Sequence, residues 1–136
     1  MKIGRVEPPR GLLSRISINR NDRCFTNILD VEWPLEIEEL VDKYMLREVE
    51  QDNQIIGGRM NRHVIQHTDR ADARLTLLWF PRLSNPLDFC VDDSSSRVGS
   101  GDVFLFDHTL PHSVSAVGDR TGVWYFMCKW YNGGNI

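Results

Sequence analysis

Two stretches of the chain gather side chains that could hold a metal ion. The first is Arg62-His63-Val64-Ile65-Gln66-His67-Thr68-Asp69, followed by Arg74-Leu75. The second runs from Gly101-Asp102-Val103-Phe104-Leu105-Phe106-Asp107 on to His108-Thr109-Leu110-Pro111-His112-Ser113. His67 and Asp69 lie two apart, so on a strand both side chains leave the same face. An imidazole beside a carboxylate supplies two metal ligands, and His112, on a distant strand, is the third candidate. Two histidines and one carboxylate on one face leave further coordination positions open, the facial arrangement that suits Fe(II) and dioxygen. The His-x-acid pair is weak by itself. With four histidines and nineteen acidic residues in the chain, a chance pair is close to an even matter. Its weight comes from the strand-like run around it and from Pro111-His112-Ser113 following an apolar strand.

Together the two stretches resemble the motifs of the aspartyl/asparaginyl β-hydroxylase family of Fe(II)/2-oxoglutarate oxygenases. The first family motif, His-Val-x-x-His-Thr-Gly followed by Arg-Leu, corresponds to His63-Val64-Ile65-Gln66-His67-Thr68-Asp69 and Arg74-Leu75. The second corresponds to Gly101 through Asp107 and on to His112, and its Leu110-Pro111-His112-Ser113 is similar to the cis-proline hydroxylase branch. The likeness covers about residues 60–131, a little over half the chain. It implies that His67, Asp69 and His112 bind iron and carry catalysis, with Asp69 as in the proline-hydroxylating branch. It also implies a hydroxylase that consumes dioxygen and 2-oxoglutarate, releases succinate and CO2, and acts on an amino acid, free or in a peptide. The family places a 2-oxoglutarate-binding arginine ten residues beyond the distal histidine, where this chain has Gly122. Arg120 stands two residues earlier, which preserves strand parity. Its planar fork suits the distal carboxylate of 2-oxoglutarate, and a turn arginine is the plainer alternative. Arg74 matches the family's Arg-Leu position and is a second candidate cation. The chain has little of the helical sequence that flanks such domains, so the substrate lid is expected to be either missing or supplied by a second copy or a partner protein.

These residues need a scaffold that brings distant strands together. Short segments at His63–Asp69, Leu75–Phe80, Leu87–Val91, Val103–Phe106, Ser113–Val117 and Val123–Tyr131 read as strands, most of them rich in β-branched or aromatic residues. Gly57-Gly58, Ser84-Asn85-Pro86, Gly99-Ser100-Gly101 and Gly118-Asp119 punctuate them as turns. Asp92-Asp93-Ser94-Ser95-Ser96 reads as an exposed loop. One helix is signalled: Ile37, Leu40, Val41, Tyr44 and Met45 form one apolar stripe, Pro34 suits the first turn, and acidic residues crowd the N-terminal end. That helix is expected to end before Asp52-Asn53. The expected fold is mainly β, a double-stranded β-helix (jelly roll) with one N-terminal helix packed outside. The N-terminal segment could add an edge strand, although Pro8-Pro9 and Gly11 argue against a long one.

Composition bounds the rest. The chain has 136 residues, 41% of them hydrophobic, and a formal net charge of −3. That fits a single domain over residues 1–136 and argues against disorder and against a dedicated nucleic-acid binder. No apolar run approaches a membrane span, so a cytoplasmic protein without membrane contact is the expectation. Residues 1–23 carry six basic residues and residues 30–52 nine acidic ones, read most simply as solvated faces. Cys24, Cys90 and Cys128 are expected to be buried packing residues. His63 reads as packed or solvent-facing, with support of the metal ligands as the sharper alternative. His108 reads as a surface residue, and Asp107 as a turn cap. Trp79, Phe80, Trp124, Tyr125, Phe126 and Trp130 read as core or rim, with one or two walling a pocket. The competing functional readings are a cupin-like binding module, a metal enzyme that uses no 2-oxo acid, and a fold whose histidines are all structural.

Overall fold

The computed structural model describes residues 1–16, 26–27, 32–49, 56–69, 73–118 and 122–133. Two antiparallel sheets face one another. The larger contains β1 (Lys2–Arg5), β2 (Thr26–Asn27), β3 (Leu46–Glu48), β4 (Ile56–Met60), β6 (Leu75–Trp79), β9 (Asp102–Asp107) and β11 (Trp124–Gly133). Its order is β1-β9-β6-β11-β4-β2, and β3 pairs with the far end of β11. The smaller contains β5 (Val64–His67), β7 (Leu87–Val91), β8 (Ser94–Val98) and β10 (His112–Ala116), ordered β5-β10-β7-β8. Sequence-distant strands thus lie side by side, as in the jelly roll expected.

Period-two alternation along β6, β9 and β11 divides the apolar residues into two cores. Leu75, Leu77, Trp79, Val103, Leu105, Met127 and Tyr131 face outward, beneath the N-terminal segment and the helix α2 (Leu35–Lys43). Leu78, Phe80, Phe104, Phe106, Trp124 and Phe126 face inward, where Leu87, Phe89 and Val114 of the smaller sheet meet them. Phe80 is the inner keystone, with ring centroids about 6 Å from those of Phe89, Phe104 and Trp124. On the outer side the Trp79 indole N–H donates to the Val6 carbonyl at 3.0 Å, pinning the N-terminal strand segment over the core. That segment forms β1 at the edge of the larger sheet, paired with β9, and it is followed by a one-turn helix α1 (Leu12–Arg15).

Helix α2 packs outside the larger sheet through Ile37, Leu40, Val41 and Tyr44. It stops at Lys43, earlier than the apolar stripe suggests. Met45 takes a left-handed φ of 54° and is 69% exposed, because the chain leaves the helix to pair Leu46–Glu48 with Tyr131–Gly133. Lys129 and Glu48 form an ion pair across this junction. Gly57-Gly58 is strand rather than turn, paired with Phe126 and Met127. Both glycines are buried, and their missing side chains suit a strand lying against the aromatic β11. Ser94-Ser95-Ser96 is strand as well. β8 is an edge strand that follows the two-residue Asp92-Asp93 hairpin, and its mostly exposed side chains demand no apolar pattern. The Gly99-Ser100-Gly101 turn behaves as expected: Gly101 has φ +91°, and an added Cβ would lie 2.9 Å from the Val6 carbonyl oxygen. No helix among the described residues is long and apolar enough to cross a membrane.

Candidate metal centre

His112 opens β10 directly opposite His67, the last residue of β5. This cross-strand pairing joins residues 45 positions apart in sequence and sets their ring centroids 4.3 Å apart. Asp69 lies just past the end of β5, so strand parity alone does not aim it. The Asp69 backbone N–H instead donates to the His108 carbonyl at 3.0 Å, which turns the segment back over the histidines. Alternation also breaks within β5: Val64 and His67 both line the cavity described below, while Ile65 is 81% exposed. A register irregularity between His112 and Val114 on β10 faces this point. Such irregularities re-aim side chains beside functional sites.

His67 Nε2 lies 3.5 Å from Asp69 Oδ1, and His112 Nε2 lies 3.0 Å from Asp69 Oδ2. The ligand atoms of the three residues all fall within 4.8 Å of one another. The opposite ring nitrogens decide what this means. His67 Nδ1 is 2.8 Å from the Ile65 carbonyl, and His112 Nδ1 is 2.8 Å from the Leu110 carbonyl. A carbonyl only accepts, so each Nδ1 carries the proton and each neutral ring turns an Nε2 lone pair toward the carboxylate. Three acceptors then converge on one point, which is unfavourable unless a cation lies among them. The donor set therefore fits a divalent metal, and the Nδ1–carbonyl bonds are the kind of support that orients metal-binding histidines. Without a metal a proton takes the same role. Burial opposes charge on His112, but the hydrogen bond to Asp69, the Leu110 carbonyl and the Asp69 charge together raise its pKa above the ordinary imidazole value. The same hydrogen bond holds the Asp69 carboxyl below the usual range despite partial burial.

Behind the triad sits His108, fully buried rather than on the surface as its loop position suggests. Its ring Nδ1 lies 2.7 Å from the Thr76 hydroxyl, and its backbone N–H donates to the Arg74 carbonyl at 3.1 Å. Burial pushes its pKa down, outweighing the nearby Ala73 carbonyl and the charges of Asp69 and Asp107. The ring is thus a neutral strut under the loop that leads from β9 to His112. Its parity with Phe104 and Phe106, extended one step past the strand, is the sequence signal that places it inside. Asp107 caps the same turn, accepting the Thr109 N–H at 2.9 Å.

The triad opens into a cavity of about 320 Å³ between the sheets. Its walls include Met60, Val64, Leu78, Phe89, Phe106 and Val114, with Trp124, Phe126, Cys128 and Trp130 along one face of β11. The Phe106 ring stands edge-on to His112 with centroids 4.9 Å apart. Of the aromatic candidates, Trp124, Phe126 and Trp130 wall the cavity, whereas Trp79 and Phe80 belong to the cores. Cys128 and Cys90 are half-buried rather than core residues. Burial, aided by the Asp69 charge, pushes the Cys128 thiol up to about 12, so it remains protonated at neutral pH. Cys24 lies outside the described residues.

The remaining expected site residues are less central. His63 is exposed, accepts the Ala116 N–H at Nδ1 (3.3 Å), and is not among the cavity-lining residues. Arg74 is exposed, is not among them either, and contributes its backbone to the His108 loop. Arg120 lies outside the described residues.

A two-sheet jelly roll with a potential His-Asp-His metal triad at the mouth of its inner cavity is the class of protein that fold and site define. The sequence matches no protein-family model and no curated protein. Solved structures similar in fold include a cupin superfamily protein from Desulfitobacterium hafniense, with a TM-score of 0.54 and 14% identity over 94% of each chain. Another is a conserved protein of unknown function from Streptococcus pyogenes, with a TM-score of 0.53 and 13% identity over 98% of this chain and 96% of that one. At such identities the likeness speaks for the fold alone, a jelly roll of two antiparallel sheets. It carries no support for the β-hydroxylase family or for 2-oxoglutarate.

Proposed function

We propose that the chain is a mononuclear metal enzyme, an oxygenase that holds Fe(II) through His67, Asp69 and His112. The observation that carries this reading is the convergence of two Nε2 lone pairs and a carboxylate, with both Nδ1 protons committed to backbone carbonyls. When bound, Fe(II) supplies redox chemistry with dioxygen at the coordination positions that three protein ligands leave open. The chain's own residues do the rest. Leu110 and Ile65 fix the two ring orientations, the His108 carbonyl holds Asp69, and Phe106 braces the His112 ring. The aromatic face of β11 keeps the cavity dry, and Cys128, a neutral thiol, adds no competing charge.

Two forms of this reading differ in their co-substrate. Hydroxylation of an amino acid with 2-oxoglutarate, yielding succinate and CO2, is supported by the motif match at residues 63–69, 74–75 and 101–113. It needs a cation for the distal carboxylate, a role for Arg120 or Arg74. The second form is a cupin-type metal enzyme or binding module that uses no 2-oxo acid. It is favoured by a specific observation: no lysine or arginine is among the described residues lining the cavity. Metal content after anaerobic purification tests the shared reading. We expect about one Fe(II) per chain, lost in His112→Ala; equal retention by that variant would refute the triad. Oxygen uptake stimulated by 2-oxoglutarate and abolished in Arg120→Ala would select the first form.

A further inference from the structure

We infer that the cavity takes a small, largely apolar ring compound that meets the metal through a single anionic oxygen, such as a phenolate or enolate. The inference rests on the metal-centre reading and adds the class of ligand.

Charge is the first argument. A divalent ion with one carboxylate ligand and two neutral imidazoles retains one net positive charge, which one anionic oxygen cancels. A second anionic group on the ligand would lie among Leu78, Phe89, Val114, Phe126 and Trp130. No cation faces it there among the described lining residues, and an unpaired buried charge is strongly disfavoured.

Hydrogen-bonding capacity is the second. Apart from the triad, the lining side chains with polar atoms are Thr76, Ser113, Trp124, Cys128 and Trp130, and two of them are committed. Thr76 is bound to His108, and the Trp124 indole N–H donates to the Arg62 carbonyl at 3.1 Å. Ser113 has opposite parity on β10 to His112 and Val114. A ligand rich in hydroxyl, amide or ammonium groups would leave many of them unsatisfied inside the cavity. A free amino acid is such a ligand.

Size and shape are the third. The volume of about 320 Å³ is roughly twice the ~150 Å³ that accommodates benzene in an engineered apolar cavity. That leaves room for a bicyclic ring, or one ring with a short apolar arm. The walls include five aromatic side chains from two facing sheets, Phe89, Phe106, Trp124, Phe126 and Trp130, which suit stacking or edge contacts with a planar ligand.

The test uses the full chain loaded with Co(II), which reports on its own coordination through visible absorption. The probes are 2-naphthol, naphthalene and 2-oxoglutarate, with tryptophan fluorescence as the second readout because Trp124 and Trp130 line the cavity. We expect 2-naphthol to shift the Co(II) bands, quench the fluorescence, and bind at least about tenfold more tightly than naphthalene or than to metal-free protein. We expect 2-oxoglutarate to bind at least about tenfold more weakly than 2-naphthol. Val64→Arg, at the half-buried cavity wall, is expected to reverse that preference. Tight Co(II)-dependent binding of 2-oxoglutarate that is lost in Arg120→Ala or Arg74→Ala would overturn the inference. So would 2-naphthol binding that is indifferent to Co(II), or absent from the Co(II)-loaded chain. Failure to bind Co(II) at all would overturn the metal-centre reading itself, which separates the two.

Discussion

Replacing Asp69 with asparagine in the metal-free protein should change sign with pH. In the native chain Asp69 Oδ2 lies 3.0 Å from His112 Nε2, and the two groups shift each other's pKa in opposite directions. Asp69, with its pKa lowered, contributes stability above the unfolded carboxyl value near ~3.9 that is lost as pH falls through its folded value. His112, with its pKa raised, contributes stability below the unfolded imidazole value near ~6.5 that is lost as pH rises through its folded value. The ion pair is thus fully present between about pH 4 and 6.5. A charge-assisted hydrogen bond contributes about 1.5–3 kcal/mol when well shielded. The Asp69 side chain is 38% exposed, so solvent screening reduces this to about 1 kcal/mol. For a chain of 136 residues, Asp69→Asn should lower Tm by about 3 °C near pH 5.5. Above the raised His112 value the logic inverts. The neutral ring offers Asp69 a lone pair, because its proton is committed to Leu110, whereas an asparagine amide can donate to it. At an alkaline pH above that raised value the variant should match the parent or exceed it by up to about 1 kcal/mol. Thermal unfolding in EDTA at the two pH values measures this. An equal loss at both would refute the assigned tautomer and, with it, the argument that three acceptors converge.

Three further outcomes are expected. His108→Ala should destabilise the chain by about 2–3 kcal/mol through the cavity left behind and the unpaired Thr76 hydroxyl; calorimetric Co(II) titration should also show affinity at least about tenfold weaker. Phe80→Ala should cost about 3–5 kcal/mol in urea denaturation, since the fully buried ring meets three other aromatic rings. Gly101→Ala should cost more than about 1 kcal/mol by the same measurement, because φ is +91° and the new Cβ would crowd the Val6 carbonyl.

The sequence carried the fold's strands better than their edges. Near-continuous apolar and aromatic runs mark β6 and β9 plainly because both faces of those strands are covered. Ser94–Val98 has no such pattern, since an edge strand with solvent on one side can be nearly all polar. The helix stripe runs on to Met45 in sequence, yet the chain leaves the helix because Leu46–Glu48 gains a strand partner in the end of β11, and periodicity carries no record of such pairing. At the site, His67, Asp69 and His112 were nameable from residue type and spacing. Strand parity does not position Asp69: the strand ends at His67, and a backbone bond to His108 finishes the task. The register that sets His67 opposite His112 depends on how two distant strands meet, which no local spacing encodes. A histidine in a polar loop reads as solvated, whereas the burial of His108 follows from the strand before it.

One feature of the smaller sheet would give a metal held by the triad a mechanical role. β5 is its edge, four residues long, and two register pairs join it to β10 across an irregular ladder. One of those pairs is His67 with His112. An ion bridging them would act as a rivet at the margin of the sheet, placed where local opening costs least. Amide exchange at Val64–His67 should then slow on metal loading while the interior strand β6 is unchanged. Occupancy of the centre would be readable as the tightness of a single seam.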